Sequence, residues 1–127
     1  MQVKVLRMKT IPIKTDNDKF YRQFLEVLKS VPPINKLRPK ELDVLAEIVR
    51  QNNLLKGYPD EHKNSILLSA ASKKEIMDKV GIGADSLNNN LSMLRKYNIL
   101  SKENRLNKFF NGIDFNGKFE LNFIFKE

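Results

Sequence analysis

Residues 72–100 read SKKEIMDKVGIGADSLNNNLSMLRKYNIL, and the spacing of apolar and breaking residues within them decides the fold. Ser72 and Glu75 form an S-x-x-E pair that starts a helix, the hydroxyl and the carboxylate each satisfying a free backbone N–H. Ile76 and Val80 give this helix one apolar face, and Gly81 ends it. Asp85 then caps a second helix, in which Leu87, Leu91 and Leu94 fall on one face at spacings of four and three. Asn88, Asn89, Ser92, Arg95 and Lys96 project from the opposite face, where a groove-reading helix carries its side chains. Asn98 sits at the left-handed end of that helix, and Ile99 and Leu100 leave it in extended form.

Working outward toward the N-terminus, Pro39 suits the first turn of a preceding helix with Leu42, Leu45, Ile48 and Val49 as its buried stripe. Gln51, Asn52 and Asn53 read as its frayed end. Gly57, Pro59 and Asp60 mark a loop. The apolar run Ile66-Leu67-Leu68 is too short for periodicity to separate a strand from a helix end, and a short helix is the preferred reading. Earlier still, Phe20, Phe24, Val27, Leu28 and Val31 follow a helical period behind a cap at Asp16 or Asp18, and Pro32-Pro33 stops the helix. Residues 2–13 alternate loosely as a short strand, with Pro12 restricting it to an edge. Toward the C-terminus, Asn116-Gly117 is a two-residue hairpin signal. Phe119, Leu121, Phe123 and Phe125 alternate with polar residues on one side of it, and residues 109–115 supply the partner strand.

The 127 residues suffice for one domain with an added arm. Hydrophobic residues at 41% and charged residues at 30% are ordinary for a globular protein. No apolar run is long enough to span a bilayer, no export signal is visible, and no cysteine exists to form a disulfide or thiolate metal site. Those features point to a cytoplasmic protein. The net charge is +8, and its distribution is uneven: residues 1–38 hold 9 Lys and Arg against 3 Asp and Glu, whereas residues 39–80 hold 7 against 7. A basic arm with Lys4, Arg7, Lys9 and Lys14 suits contact with a polyanion, or equally a solvated face that aids solubility.

The order of elements resembles a winged helix-turn-helix domain of the MarR-like kind. The resemblance rests on the opening Leu37-Arg38-Pro39-Lys40-Glu41-Leu42, the leucine-lined second helix of the motif, the exit Leu94-Arg95-Lys96-Tyr97-Asn98-Ile99-Leu100 and the closing hairpin. It covers residues 37–127 and leaves 1–36 as a strand-helix extension. The implied fold class is mainly α with a small β part, an α+β winged helix-turn-helix with a C-terminal β-hairpin. In that family the second helix of the motif enters the major groove and the wing touches backbone or minor groove. Carried over, Asn88, Asn89, Ser92 and Arg95 are base-reading candidates, Lys96 and the wing residue Lys118 face phosphate, and the helix start at Ser86 offers backbone N–H groups.

The expected function is therefore duplex DNA binding, as a transcription regulator or replication accessory factor, with residues 18–31 available for homo-oligomerisation. The alternative is a non-enzymatic assembly protein, for example a phage particle component located in a virion, that uses the fold for contacts with protein partners. Two features favour that alternative. Arg95 and Lys96 are the cations of the recognition face, behind neutral amides, and the hairpin strands are phenylalanine-rich like a packed sheet. No enzyme is expected, because the titratable groups form no concentrated set. His62 is the single histidine, in a polar stretch, so no metal site is expected. No G-x-x-x-x-G-K-[ST] loop or other cofactor motif is present.

Overall fold

Apolar periodicity sets the helices of this chain, and residues at their own N-termini mark where they begin. The computed structural model describes residues 6–14, 19–55, 57–110 and 118–126, with the backbone alone for residues 6–14, 60, 64 and 118–126. These residues fall into two units, one holding two strands and the other running from residue 21 through 110. In the first, β1 (Leu6–Lys14) pairs antiparallel with β2 (Lys118–Lys126), in a register that sets Leu6 opposite Lys126 and Lys14 opposite Lys118.

The second unit is helical: α1 (Phe20–Val27, its first residue in the other unit), α2 (Pro39–Leu54), α3 (Asp60–Ile66), α4 (Ala70–Val80) and α5 (Ala84–Lys96). Helix α2 is its axis. Pro39 occupies the first turn, where a missing N–H costs nothing, and Glu41 reaches back to accept the Arg38 N–H at 2.9 Å. The expected stripe Leu42, Leu45, Ile48 and Val49 is buried, and so are Val44 and Ala46. More than one face of α2 is covered because α4 and α5 pack on it and α1 is tied to it. Arg22 Nε of α1 donates to Asp43 Oδ1 at 2.6 Å, and Asn53 Nδ2 donates to the Tyr21 hydroxyl at 3.0 Å. The end of α2 is thus not frayed. Gln51, Asn52 and Asn53 are buried there.

On α1, Phe20 of the expected stripe is buried together with Tyr21 and Leu25, whereas Phe24, Val27 and Leu28 of that stripe are half-buried and Val31 is exposed. The α-helix gives way to a 3-10 turn at Leu28–Ser30. Arg22 and Lys29 hydrogen-bond to the Glu26 carboxylate and hold it below the usual carboxylate range.

The start of α4 differs from the sequence expectation. Its N-cap is Ser69, whose hydroxyl accepts the Ser72 N–H at 3.3 Å. Ser72 is buried inside the first turn. Its Oγ accepts the Leu68 N–H at 3.1 Å and donates to Gln51 Oε1, while Gln51 Nε2 donates to the Ser72 carbonyl at 3.2 Å. Glu75 is correspondingly free of the cap and pairs with Arg50 of α2, which also binds Glu47 at 3.1 Å. Gly81 ends α4 at φ 77°, a left-handed conformation that a side chain would disfavour, and its N–H and that of Ile82 return to the Met77 carbonyl. Three residues after α4, α5 begins behind Gly83, so Asp85 lies in its first turn and does not cap it. Leu87, Leu91 and Leu94 all point into the core. Asn98 adopts φ 59°, as the end of α5 requires.

The chain beyond α5 corrects the winged arrangement. Among the described residues that follow α5, an isolated antiparallel bridge joins Leu100 and Leu106, closing a turn in which Ser101 Oγ accepts the N–H groups of Glu103 and Arg105. Residues expected to begin the partner strand turn back on themselves. Asn107 accepts the Phe109 N–H through its side chain and the Phe110 N–H through its carbonyl, and Lys108–Phe110 form a 3-10 turn that buries Phe110. Among the described residues strand β2 pairs with β1, nine residues to nine, and of the expected partner strand Phe109 and Phe110 lie in a 3-10 turn, so the winged arrangement with its C-terminal hairpin is not what the described residues form. The Asn116-Gly117 turn lies outside the described residues. The fold of the second unit is an all-helical bundle containing a helix-turn-helix, with no strand among its described residues.

Candidate nucleic-acid interface

The buried leucines of α5 determine which of its polar residues face outward. With Leu87, Leu91 and Leu94 in the core, Asn88, Asn89 and Ser92 are exposed. Among the described residues no hydrogen bond engages these three side chains. Their amides and hydroxyl offer both donors and acceptors to a base edge. The third residue of the asparagine triplet differs. Asn90 is buried, and its Nδ2 donates to the Ser86 carbonyl at 2.7 Å within the same helix.

The two cations expected on this face are placed unequally. Arg95 is half-buried, and its Nη2 donates to Asn104 Oδ1 at 2.8 Å, which draws the guanidinium toward the turn after α5. Lys96 is exposed, with Nζ 5.7 Å from the centroid of the Tyr97 ring, within the range of a cation–π contact. Ser86 is half-buried at the start of α5.

A cleft of about 740 Å³ lies between this face and the start of α2, and it carries two cations the sequence reading passed over. Arg38 and Lys40 line it together with Ser86, Asn89 and Ser92. Glu41 also lines it, but its carboxylate is buried and accepts the Arg38 N–H, so it faces the helix start. Lys40 Nζ donates to the Val80 carbonyl at 3.2 Å, where a cation complements the negative end of α4. The legible signal was the sequence Arg38-Pro39-Lys40 itself: a proline-started helix flanked by two cations, with its positive dipole end beside them.

The remaining expected site residues belong to the strand unit. Arg7, Lys9 and Lys14 lie on β1, opposite Phe125, Phe123 and Lys118 respectively. Lys118 is therefore the first residue of β2 and not the tip of a hairpin. Lys4 lies outside the described residues. Among the described residues no group of three or more metal-ligating side chains occurs, and no helix is long and apolar enough to cross a membrane. Compared with known proteins, the chain matches no family model, no curated protein and no solved structure.

Proposed function

We propose that the helical unit binds duplex DNA, with α5 in the major groove and the start of α2 against one phosphate backbone. The observation that carries this reading is the shared cleft, in which Arg38 and Lys40 stand beside Asn89 and Ser92. Phosphate contacts supply affinity and base-edge contacts supply selectivity, and the two kinds of group lie next to each other here. Helix α5 also meets the steric demand, because it is braced from behind by α2 and α4 while its polar face stays open. Because Arg95 also donates to Asn104 in the turn after α5, this reading places the base contacts first on Asn88, Asn89 and Ser92, whose side chains are exposed.

Affinity for random duplex DNA, followed by fluorescence anisotropy across a salt series, tests this directly. The full chain is expected to bind at low salt with a log–log slope that reports several neutralised phosphates. Arg38→Ala with Lys40→Ala should flatten that slope by about 2. A slope unchanged by the double substitution, or no binding at low salt, would remove the reading. On a selected site, Asn89→Ala is expected to cost about 1–3 kcal/mol of discrimination against other sequences while leaving the salt slope alone. Equal losses on selected and random duplexes would show that Asn89 does not read bases.

A further inference from the structure

We infer that a second surface, the apolar groove beside the end of α5, docks a partner peptide that presents a large apolar side chain flanked by carboxylates. The groove has a volume of about 360 Å³ and runs between residues 31–34, the exit of α5 and the turn at 108–110. Val31, Ile34, Tyr97, Ile99, Phe109 and Phe110 form its walls. Phe109 is 58% exposed and Val31 45%, an arrangement that leaves large apolar surface in water at the groove mouth. Phe109 stands edge-on to the buried Phe110 at 5.1 Å between ring centroids, and its backbone N–H donates to Asn107 Oδ1.

Charge selects the occupant. The segments that line the groove, 31–34, 97–99 and 107–110, contain no Asp or Glu; the carboxylates flanking them in sequence are Glu26, which is paired with Arg22 and Lys29, the buried Glu41, and Glu103 in the turn between the last two segments. Lys36, Lys96 and Lys108, all exposed, lie within or beside these segments. An apolar floor with a cationic surround favours an apolar side chain with acidic neighbours and disfavours a basic one. A nucleic-acid base stacked on Phe109 would meet the same cations, but few polar groups line the groove to serve its edges: Asn107 already donates to the Asn98 carbonyl and accepts from Phe109, which leaves the Asn98 side chain and the Tyr97 hydroxyl. This docking role does not depend on DNA binding, and Arg38 and Lys40 have no part in it.

The test uses the full chain and a fluorescein-labelled synthetic peptide alternating Asp with Leu around a central Phe. Saturable binding is expected, weakened at least about tenfold by Phe109→Ser and by Val31→Ser. Lys96→Glu with Lys108→Glu should weaken it similarly. A peptide with every Asp replaced by Lys should not bind. Because Phe109 and Val31 are exposed, the serine variants should keep the wild-type urea midpoint, which separates lost docking from lost folding. The proposal is overturned if no acidic peptide binds, if both serine variants bind as wild type, or if a peptide with Ser for Leu and Phe binds equally well. It is also overturned if single-stranded oligothymidylate displaces the peptide and its own binding is the one lost in Phe109→Ser.

Discussion

Leu94→Ala is expected to lower the stability of the helical unit by about 2–5 kcal/mol, read from the midpoint of urea unfolding at constant slope. Leu94 is fully buried on the face of α5 that packs against α2 and α4. Truncating it removes the transfer energy of the lost methyl groups and leaves a cavity that three crossing helices cannot collapse to fill. Its backbone adds a local consequence. The Leu94 carbonyl accepts the N–H groups of Ile99 at 3.0 Å and Leu100 at 3.3 Å, closing the end of α5 over the same core. Small domains have a total stability of about 5–15 kcal/mol, so this single change removes a large fraction of it. Asn89→Ala, on the opposite face of the same helix, should leave the midpoint within about 0.5 kcal/mol. A Leu94→Ala loss below about 1 kcal/mol would mean that α5 is not seated as described.

Ser72→Ala is expected to cost about 1–3 kcal/mol, although the substitution removes one oxygen from a helix and raises intrinsic helix propensity. The hydroxyl serves two buried groups at once, accepting the Leu68 N–H and donating to Gln51 Oε1. Both partner residues are buried. Leu68 lies at φ 61°, a left-handed conformation that costs a branched L-residue about 1–2 kcal/mol and has to be held by its surroundings. Amide exchange at Leu68 should therefore accelerate more than exchange in the middle of α2. Combining Ser72→Ala with Gln51→Leu should recover part of the loss, since the orphaned Gln51 oxygen is then removed as well. Strict additivity of the two changes would show that they do not form one network.

The helix-turn-helix was legible because its determinants are local. The leucine spacing of α5, the glycine that ends α4 and the left-handed Asn98 each express a preference that no distant contact reverses. What the sequence hid was non-local. Ser72 and Glu75 satisfy the pattern of a capping box, yet Gln51 and Arg50, more than twenty residues earlier, claim both side chains and leave the cap to Ser69. The same applies to Gln51, Asn52 and Asn53, polar residues at a helix end that read as frayed until α1 and α4 are brought against them. The partner of the C-terminal strand was also non-local. An Asn-Gly turn argues for the nearest segment, whereas β2 pairs with β1 more than a hundred residues earlier, and of the expected partner Phe109 and Phe110 are held in a turn by Asn107. In the candidate interface, the hydrogen bond from Arg95 to Asn104 was not legible, because charge alone says nothing of a partner nine residues on.

The contact between Arg95 and Asn104 has a consequence for how the proposed DNA complex would behave. With the guanidinium turned toward residue 104, the centre of the outward face of α5 is uncharged, and the nearest cations, Arg38, Lys40 and Lys96, stand at its margins. Grip and discrimination then reside in different atoms. Changes in ionic environment, or neutralisation of the marginal cations, would alter how long the protein stays on any duplex without altering its ranking of one sequence over another.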